Sequence, residues 1–175
     1  MKRIIFTLVI LMVFMTQAFG AMLLQGTRQL GLSGRLDQTE EVNFDISATG
    51  GYFFQDNIEL GVFAGFGMEH GGDLLDISAG GFCEFNIPLN ALPDVVPYLG
   101  GSIGIRYRSI DIDMFDESDT ALQGIGWGGI KFFVVDNLSI GTALRLFVAS
   151  DDIYMGDEKM ESVDWDIIIS TSFYF

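Results

Sequence analysis

His70 is the only histidine of the 175-residue chain, and it stands in Met68-Glu69-His70-Gly71-Gly72-Asp73. An imidazole beside Glu69 or Asp73 has the partners of a general base held by a carboxylate. Acyl chemistry also needs a nucleophile, and no serine lies beside it; Ser78 is the nearest in a patterned stretch. A solvated loop histidine accounts for the residue without chemistry. Asp111-Ile112-Asp113-Met114-Phe115-Asp116-Glu117-Ser118-Asp119 has the acid density of a calcium loop. It lacks the turn glycine and the closing glutamate of an EF-hand, which leaves weak divalent binding shared with nearby phosphates, or a solvated loop. Cys83 is the single cysteine, so the chain has neither a disulfide framework nor a cysteine cluster for metal. The expectation is no catalytic residue, no cofactor, no metal, and no enzyme.

A third set of groups is larger and more orderly. Arg35, Asp45, Glu59, Asp76, Glu84, Arg106, Lys131, Arg145, Asp164 and Asp166 each fall on the polar side of a stretch in which apolar and polar residues alternate. Alternation with period two is the mark of a strand with unlike faces. It predicts eight strands, at about 28–37, 42–54, 58–67, 74–86, 97–108, 122–134, 138–148 and 163–175. In the last, Val163, Trp165, Ile167, Ile169, Phe173 and Phe175 oppose Asp164, Asp166, Ser170 and Ser172. The sixth is the least regular, because Ile125 and Trp127 share a face with Lys131, and its register stays open.

Two arrangements alternate in this way: a soluble sandwich and a membrane barrel with polar side chains toward the lumen. The connections separate them. Gln55-Asp56-Asn57 and Val135-Asp136-Asn137 are tight turns, and residues 87–96 form a third, proline-containing link on the same side. The other rim has the longer loops 38–41, 68–73, 109–121 and 149–162, which hold more than half of the 24 acids. Aromatic residues gather beside the short turns, at Tyr52-Phe53-Phe54, Phe85, Tyr98, Phe132-Phe133 and Phe173-Tyr174-Phe175, as an interfacial girdle requires. The fold expected is all-β: an eight-stranded antiparallel transmembrane up-and-down barrel. Cys83 and Trp165 fall on its lipid side.

Composition agrees. The chain is 49% hydrophobic and carries 9 basic against 24 acidic residues, a net charge of -15, which excludes nucleic acid as partner. Met1-Lys2-Arg3, the apolar run from Ile4 to Met15 and the small residues Ala18 and Gly20 describe a secretory signal peptide at 1–20. The run is shorter than the roughly 20 residues a spanning helix needs. Residues 21–175 are then one barrel domain.

The C-terminus, Ile167-Ile168-Ile169-Ser170-Thr171-Ser172-Phe173-Tyr174-Phe175, resembles the outer-membrane assembly signal, with Ile167, Ile169, Phe173 and Phe175 at its alternate positions. That C-terminus, the Tyr52–Gly61 hairpin, Val96-Pro97-Tyr98-Leu99-Gly100 and Gly129-Ile130-Lys131-Phe132-Phe133 resemble small eight-stranded outer-membrane barrels of the OmpA/OmpX type. The resemblance implies a Gram-negative-type outer membrane, insertion by the barrel assembly machinery, and periplasmic termini. It also implies lipid and lipopolysaccharide as surroundings, and no peptidoglycan-binding domain after the barrel.

That family includes structural proteins, adhesins, narrow channels and lipid A-modifying enzymes, so fold leaves function open. The ten charges would interdigitate as ion pairs in a lumen only wide enough for side chains. A plugged lumen favours a structural or adhesion-like role through the acidic loops, with a surface ligand or weakly held divalent cations as partners there. The alternatives are a narrow path for ions or small solutes, eased by Gly61, Gly65, Gly80, Gly100 and Gly141, and a lipid A-modifying enzyme using His70.

Overall fold

Residues that alternate between apolar and polar cannot satisfy one helical face, but they fit a pleated strand whose successive side chains point to opposite sides. The computed structural model describes residues 23–37, 43–69, 74–112, 115–151, 154–155 and 160–175, and it resolves the alternation into strands. These are β1 (Arg28–Asp37), β2 (Asn43–Gln55), β3 (Ile58–Glu69), β4 (Leu74–Asn86), β5 (Val95–Ile112), β6 (Phe115–Val135), β7 (Leu138–Ala149), β8 (Tyr154–Met155), β9 (Met160–Glu161) and β10 (Val163–Tyr174). Strands β1 to β7 and β10 form one closed antiparallel barrel in which β10 returns to pair with β1. Closure satisfies every strand edge within the wall. β8 and β9 make a separate two-stranded hairpin.

The eight expected strands are all present, and two of the expected loops are corrected. Residues 109–121 are mostly strand, because β5 runs on to Ile112 and β6 begins at Phe115. Their acid density suggested a loop. The backbone ladder between β5 and β6 does not need an apolar face in order to continue, so an acid-rich sequence does not end it. The expected loop 149–162 contains the β8–β9 hairpin, and the link after β4 is shorter than expected because β5 starts at Val95.

At the other end the β2–β3 and β6–β7 hairpins turn on Asp56-Asn57 and Asp136-Asn137, each after a register shift, at Phe53/Gln55 and Phe133/Val135. Asn57 takes φ 65°, a left-handed conformation that asparagine tolerates better than most residues.

The faces of the wall are inverted relative to a soluble protein. Outward positions are apolar and open, as at Val62 (65% exposed), Trp165 (64%) and Ile169 (66%), whereas Glu59 (1%) and Asp76 (5%) point inward and are buried. Water does not tolerate an apolar surface that encircles the molecule; hydrocarbon does.

Six of the ten aromatics that the sequence suggested for a girdle face outward. Tyr52, Phe54, Phe85, Phe132, Phe173 and Phe175 face outward, but Phe53, Tyr98, Phe133 and Tyr174 are buried inside. Period two explains this, since consecutive aromatics in a strand must divide between its faces. Leu23, Phe53, Val96, Phe133 and Tyr174 pack into one cluster, each no more than 5% exposed, that closes the short-turn end. The segment before β1 is tied across that end: Gly26 N donates to Phe53 O at 2.8 Å and Asn57 N to Leu23 O at 2.8 Å.

Candidate functional site

The charged lumen divides into two layers. The outer one lies toward the long-loop rim and is built by neighbouring strands. Asp76 on β4 is the register partner of Arg108 on β5, one position from that of Arg106 on the same face. Arg106 Nε donates to Asp76 Oδ1 at 2.6 Å, its Nη2 also bonds Asp76, and Arg108 Nη2 lies 3.2 Å from Asp76 Oδ2. Across the barrel Arg145 and Asp166 are register partners on β7 and β10, joined by a fork in which Nε reaches Oδ1 at 2.8 Å. The planar guanidinium suits such two-point pairing. The Arg145 guanidinium also lies 4.9 Å from the Phe147 ring centre.

Asp45 and Asp164 line the same space, a cavity of about 220 Å³ walled further by Phe44, Phe63 and Phe147. Asp164 Oδ1 also accepts the Trp165 backbone N–H at 2.7 Å. Arg35 is the register partner of Asp45, and its side chain lies outside the described residues.

The inner layer centres on Lys131. Its ammonium pairs with Glu84, donates to Asn86 Oδ1 at 3.1 Å, and sits 4.7 Å from the Tyr98 ring centre. Lys131 and Glu84 are on β6 and β4, with β5 between them. On β5, Gly100 is the register partner of both Glu84 and Trp127, and a Cβ there would come within 2.6 Å of the Trp127 indole. The missing side chain lets Trp127 lie across β5 and donate from Nε1 to Glu84 Oε2 at 3.2 Å.

Glu59 is the direct cross-strand neighbour of Glu84. With the Gln29 amide oriented to satisfy its neighbours, its nitrogen donates to Glu59 Oε1 at 3.1 Å and its oxygen accepts from the Ser172 and Thr49 hydroxyls. Ser139 and Tyr174 share a hydrogen bond of 3.2 Å below this layer. A smaller cavity, about 110 Å³, lies among Gln29, Glu59, Glu84, Tyr98, Trp127 and Lys131. Tyr98, Ala143, Ile168 and Trp127 pack together between the two layers.

Of the ten charges singled out in the sequence, six are thus in direct pairs: Arg106–Asp76, Arg145–Asp166 and Lys131–Glu84. Glu59, Asp45 and Asp164 face the same lumen. Arg108, Gln29, Asn86 and Trp127 join them although they were not among the ten; each shares strand parity with one of the ten, Arg106, Arg35, Glu84 and Lys131 respectively, but parity does not say which uncharged residues enter a charged layer. Ile167, Ile169, Phe173 and Phe175 all face outward on or just after β10. His70, Asp73, Asp113 and the expected signal peptide at 1–20 lie outside the described residues.

No protein-family model matches the chain, and no curated protein sequence matches it. Solved structures do. The N-terminal β-barrel domain of Pseudomonas aeruginosa OprF superposes with a TM-score of 0.61 at 15% identity, covering 86% of this chain and 98% of that one. Neisserial surface protein A gives 0.58 at 16%, covering 85% and 96%. This chain has the fold of the small outer-membrane β-barrels. A de novo designed transmembrane β-barrel is also similar, with a TM-score of 0.51 at 14% identity over 86% of this chain and 97% of that one. A designed barrel sharing the architecture underlines that the likeness concerns the wall of the barrel, and that rim and lumen must be read from their own residues.

Proposed function

We propose that this barrel resides in a Gram-negative-type outer membrane, exported with residues 1–20 as a cleaved signal peptide, and that its role is structural or surface-interacting. The observation that carries this reading is the closed lumen. The aromatic cluster of Leu23, Phe53, Val96, Phe133 and Tyr174 stands under a paired Lys131–Glu84 layer, with a second paired layer above it. A barrel filled in this way offers its wall to lipid and its rim to partners. In this reading the short turns are periplasmic and the acidic rim faces out.

The barrel assembly machinery would read Ile167, Ile169, Phe173 and Phe175. Lipid and lipopolysaccharide surround the wall, divalent cations bridge rim carboxylates to phosphates weakly, and no nucleic acid is bound. No residue is assigned a catalytic role. Loss of lipid A modification on His70→Ala would be the sign of an enzyme.

The test is gel migration of the purified protein in detergent with and without heating, followed by planar-bilayer conductance on the same sample. A heat-dependent shift without conductance is expected. A shift with discrete steps would overturn the reading in favour of the narrow channel, for which the two lumen cavities are the specific support.

A further inference from the structure

We propose that the smaller lumen cavity is a binding site for a small organic cation, an alkylammonium of about five non-hydrogen atoms, with Glu59 as its counter-ion. The proposal goes beyond the structural or surface-interacting role and does not depend on it.

Charge in the inner layer does not balance. Glu59 and Glu84 are direct cross-strand neighbours, and Lys131 is the cation beside them. Among the described residues, Lys131 pairs with Glu84, and the Glu59 carboxylate meets the neutral amide of Gln29. Arg145 also lines the cavity, but Asp166 holds its guanidinium in a two-point fork. Glu59 is only 1% exposed, so bulk water does not stand in for the missing cation. A carboxylate buried in this way takes up either a proton or a positive partner.

The space beside Glu59 suits the positive partner. Its walls include the rings of Phe63, Phe82 and Trp127, the last two with centres 6.3 Å apart and planes tilted by 59°. Ring faces attract an ammonium and cover its methylene groups. Ser102 Oγ lines the same cavity and is buried, and among the described residues it has no hydrogen-bond partner. It is available to accept an N–H from the ligand. Glycines leave room for these walls: a Cβ on Gly51 would strike the Glu59 carboxylate, one on Gly61 the Phe82 ring, and one on Gly100 the Trp127 indole.

Size and ligand chemistry narrow the class. The cavity holds about 110 Å³. An apolar cavity of about 150 Å³ takes benzene, so a slightly smaller body fits here. A divalent metal ion asks for six or more oxygen ligands, which walls made largely of rings do not supply. Entry is from the long-loop side. The outer and inner cavities share Ser47, Phe63, Ile125 and Arg145 as walls, whereas the Leu23, Phe53, Val96, Phe133 and Tyr174 cluster closes the opposite end. A site reached from one side binds without conducting.

The test is calorimetric titration of butylammonium chloride into the full barrel in non-ionic detergent at physiological salt. Saturable binding of one cation per barrel is expected. The indole N–H resonance of Trp127 should move during the titration, and that of Trp165, which faces outward, should not. Butanol, of the same shape without the charge, is expected not to bind.

Glu59→Gln keeps the shape and removes the charge, so the heat shift should persist while affinity falls about tenfold or more. Ser102→Val, which fills part of the cavity and alters no charge, is the second variant should the first fail to fold, and the same loss is expected of it. Absence of butylammonium binding would overturn the proposal. Butanol binding as well as butylammonium would also do so, because Glu59 would then hold a proton in an apolar cavity. Binding that both variants leave unchanged, or that leaves the Trp127 resonance in place, would mean that the cation sits among the rim acids and would overturn it too.

Discussion

Lys131 shows how much of the lumen depends on single side chains. Its ammonium is shared by Glu84 and Asn86 and lies beside Tyr98, in a layer that also holds Glu59. Removing it leaves two neighbouring carboxylates without their cation. Lys131→Met is therefore expected to cost about 3–5 kcal/mol, the usual range for breaking a buried pair from one side. The measurement is the urea midpoint for unfolding from lipid vesicles. The double variant Lys131→Met/Glu84→Gln should recover part of that loss, because it also removes the stranded charge; no recovery would mean that Lys131 acts by packing. Alternation put these residues on one face of their strands. It could not say that Lys131 and Trp127 on β6 would both reach Glu84 on β4 across β5, because such a reach depends on the stagger of three strands and, for Trp127, on Gly100 having no side chain.

The strands themselves were the most legible part of the chain. Ser33, Gly65 and Ser170 sit among apolar neighbours at strict spacing, and such spacing marks strand positions whatever the tertiary partner. Strand ends were legible where a turn residue stood, as at Asp56-Asn57, and were missed where the pattern faded into acids, as at 109–121. Among the described residues, the extension pairs β5 with β6 beyond the last β4 partner, Leu74–Ile110, and the last β7 partner, Gln123–Ala149. Replacing residues 109–118 by Asn-Gly keeps the Arg108–Asp119 pair and its register. The shortened protein is expected to keep its heat shift, with stability within roughly 1 kcal/mol, since surface changes away from core and buried networks rarely cost more. Loss of the folded band would show that the hairpin helps to build the wall.

For the molecule as a whole, the decisive property is an apolar exterior around a charged interior. Height along the barrel then matters as much as direction. Ile169 and Thr120 both lie on the outward side by alternation, one in the wall and one on the projecting hairpin. Ile169→Arg is expected to cost about 2–4 kcal/mol, and Thr120→Arg about 0–1 kcal/mol, as for arginine at the bilayer middle against its edge. Equal costs in vesicles would contradict a membrane spanning the wall alone. The period of two by itself determined the eight strands of the wall and the division of each strand's residues between two faces, because the pleat is a local property of the backbone. Only the tertiary structure decided that Phe53, Phe133 and Tyr174 seal the short-turn end, that Lys131 meets Glu84, and that β6 outruns β7. Those depend on closure and stagger, which bring together residues far apart in sequence and leave no trace in the spacing of any one strand.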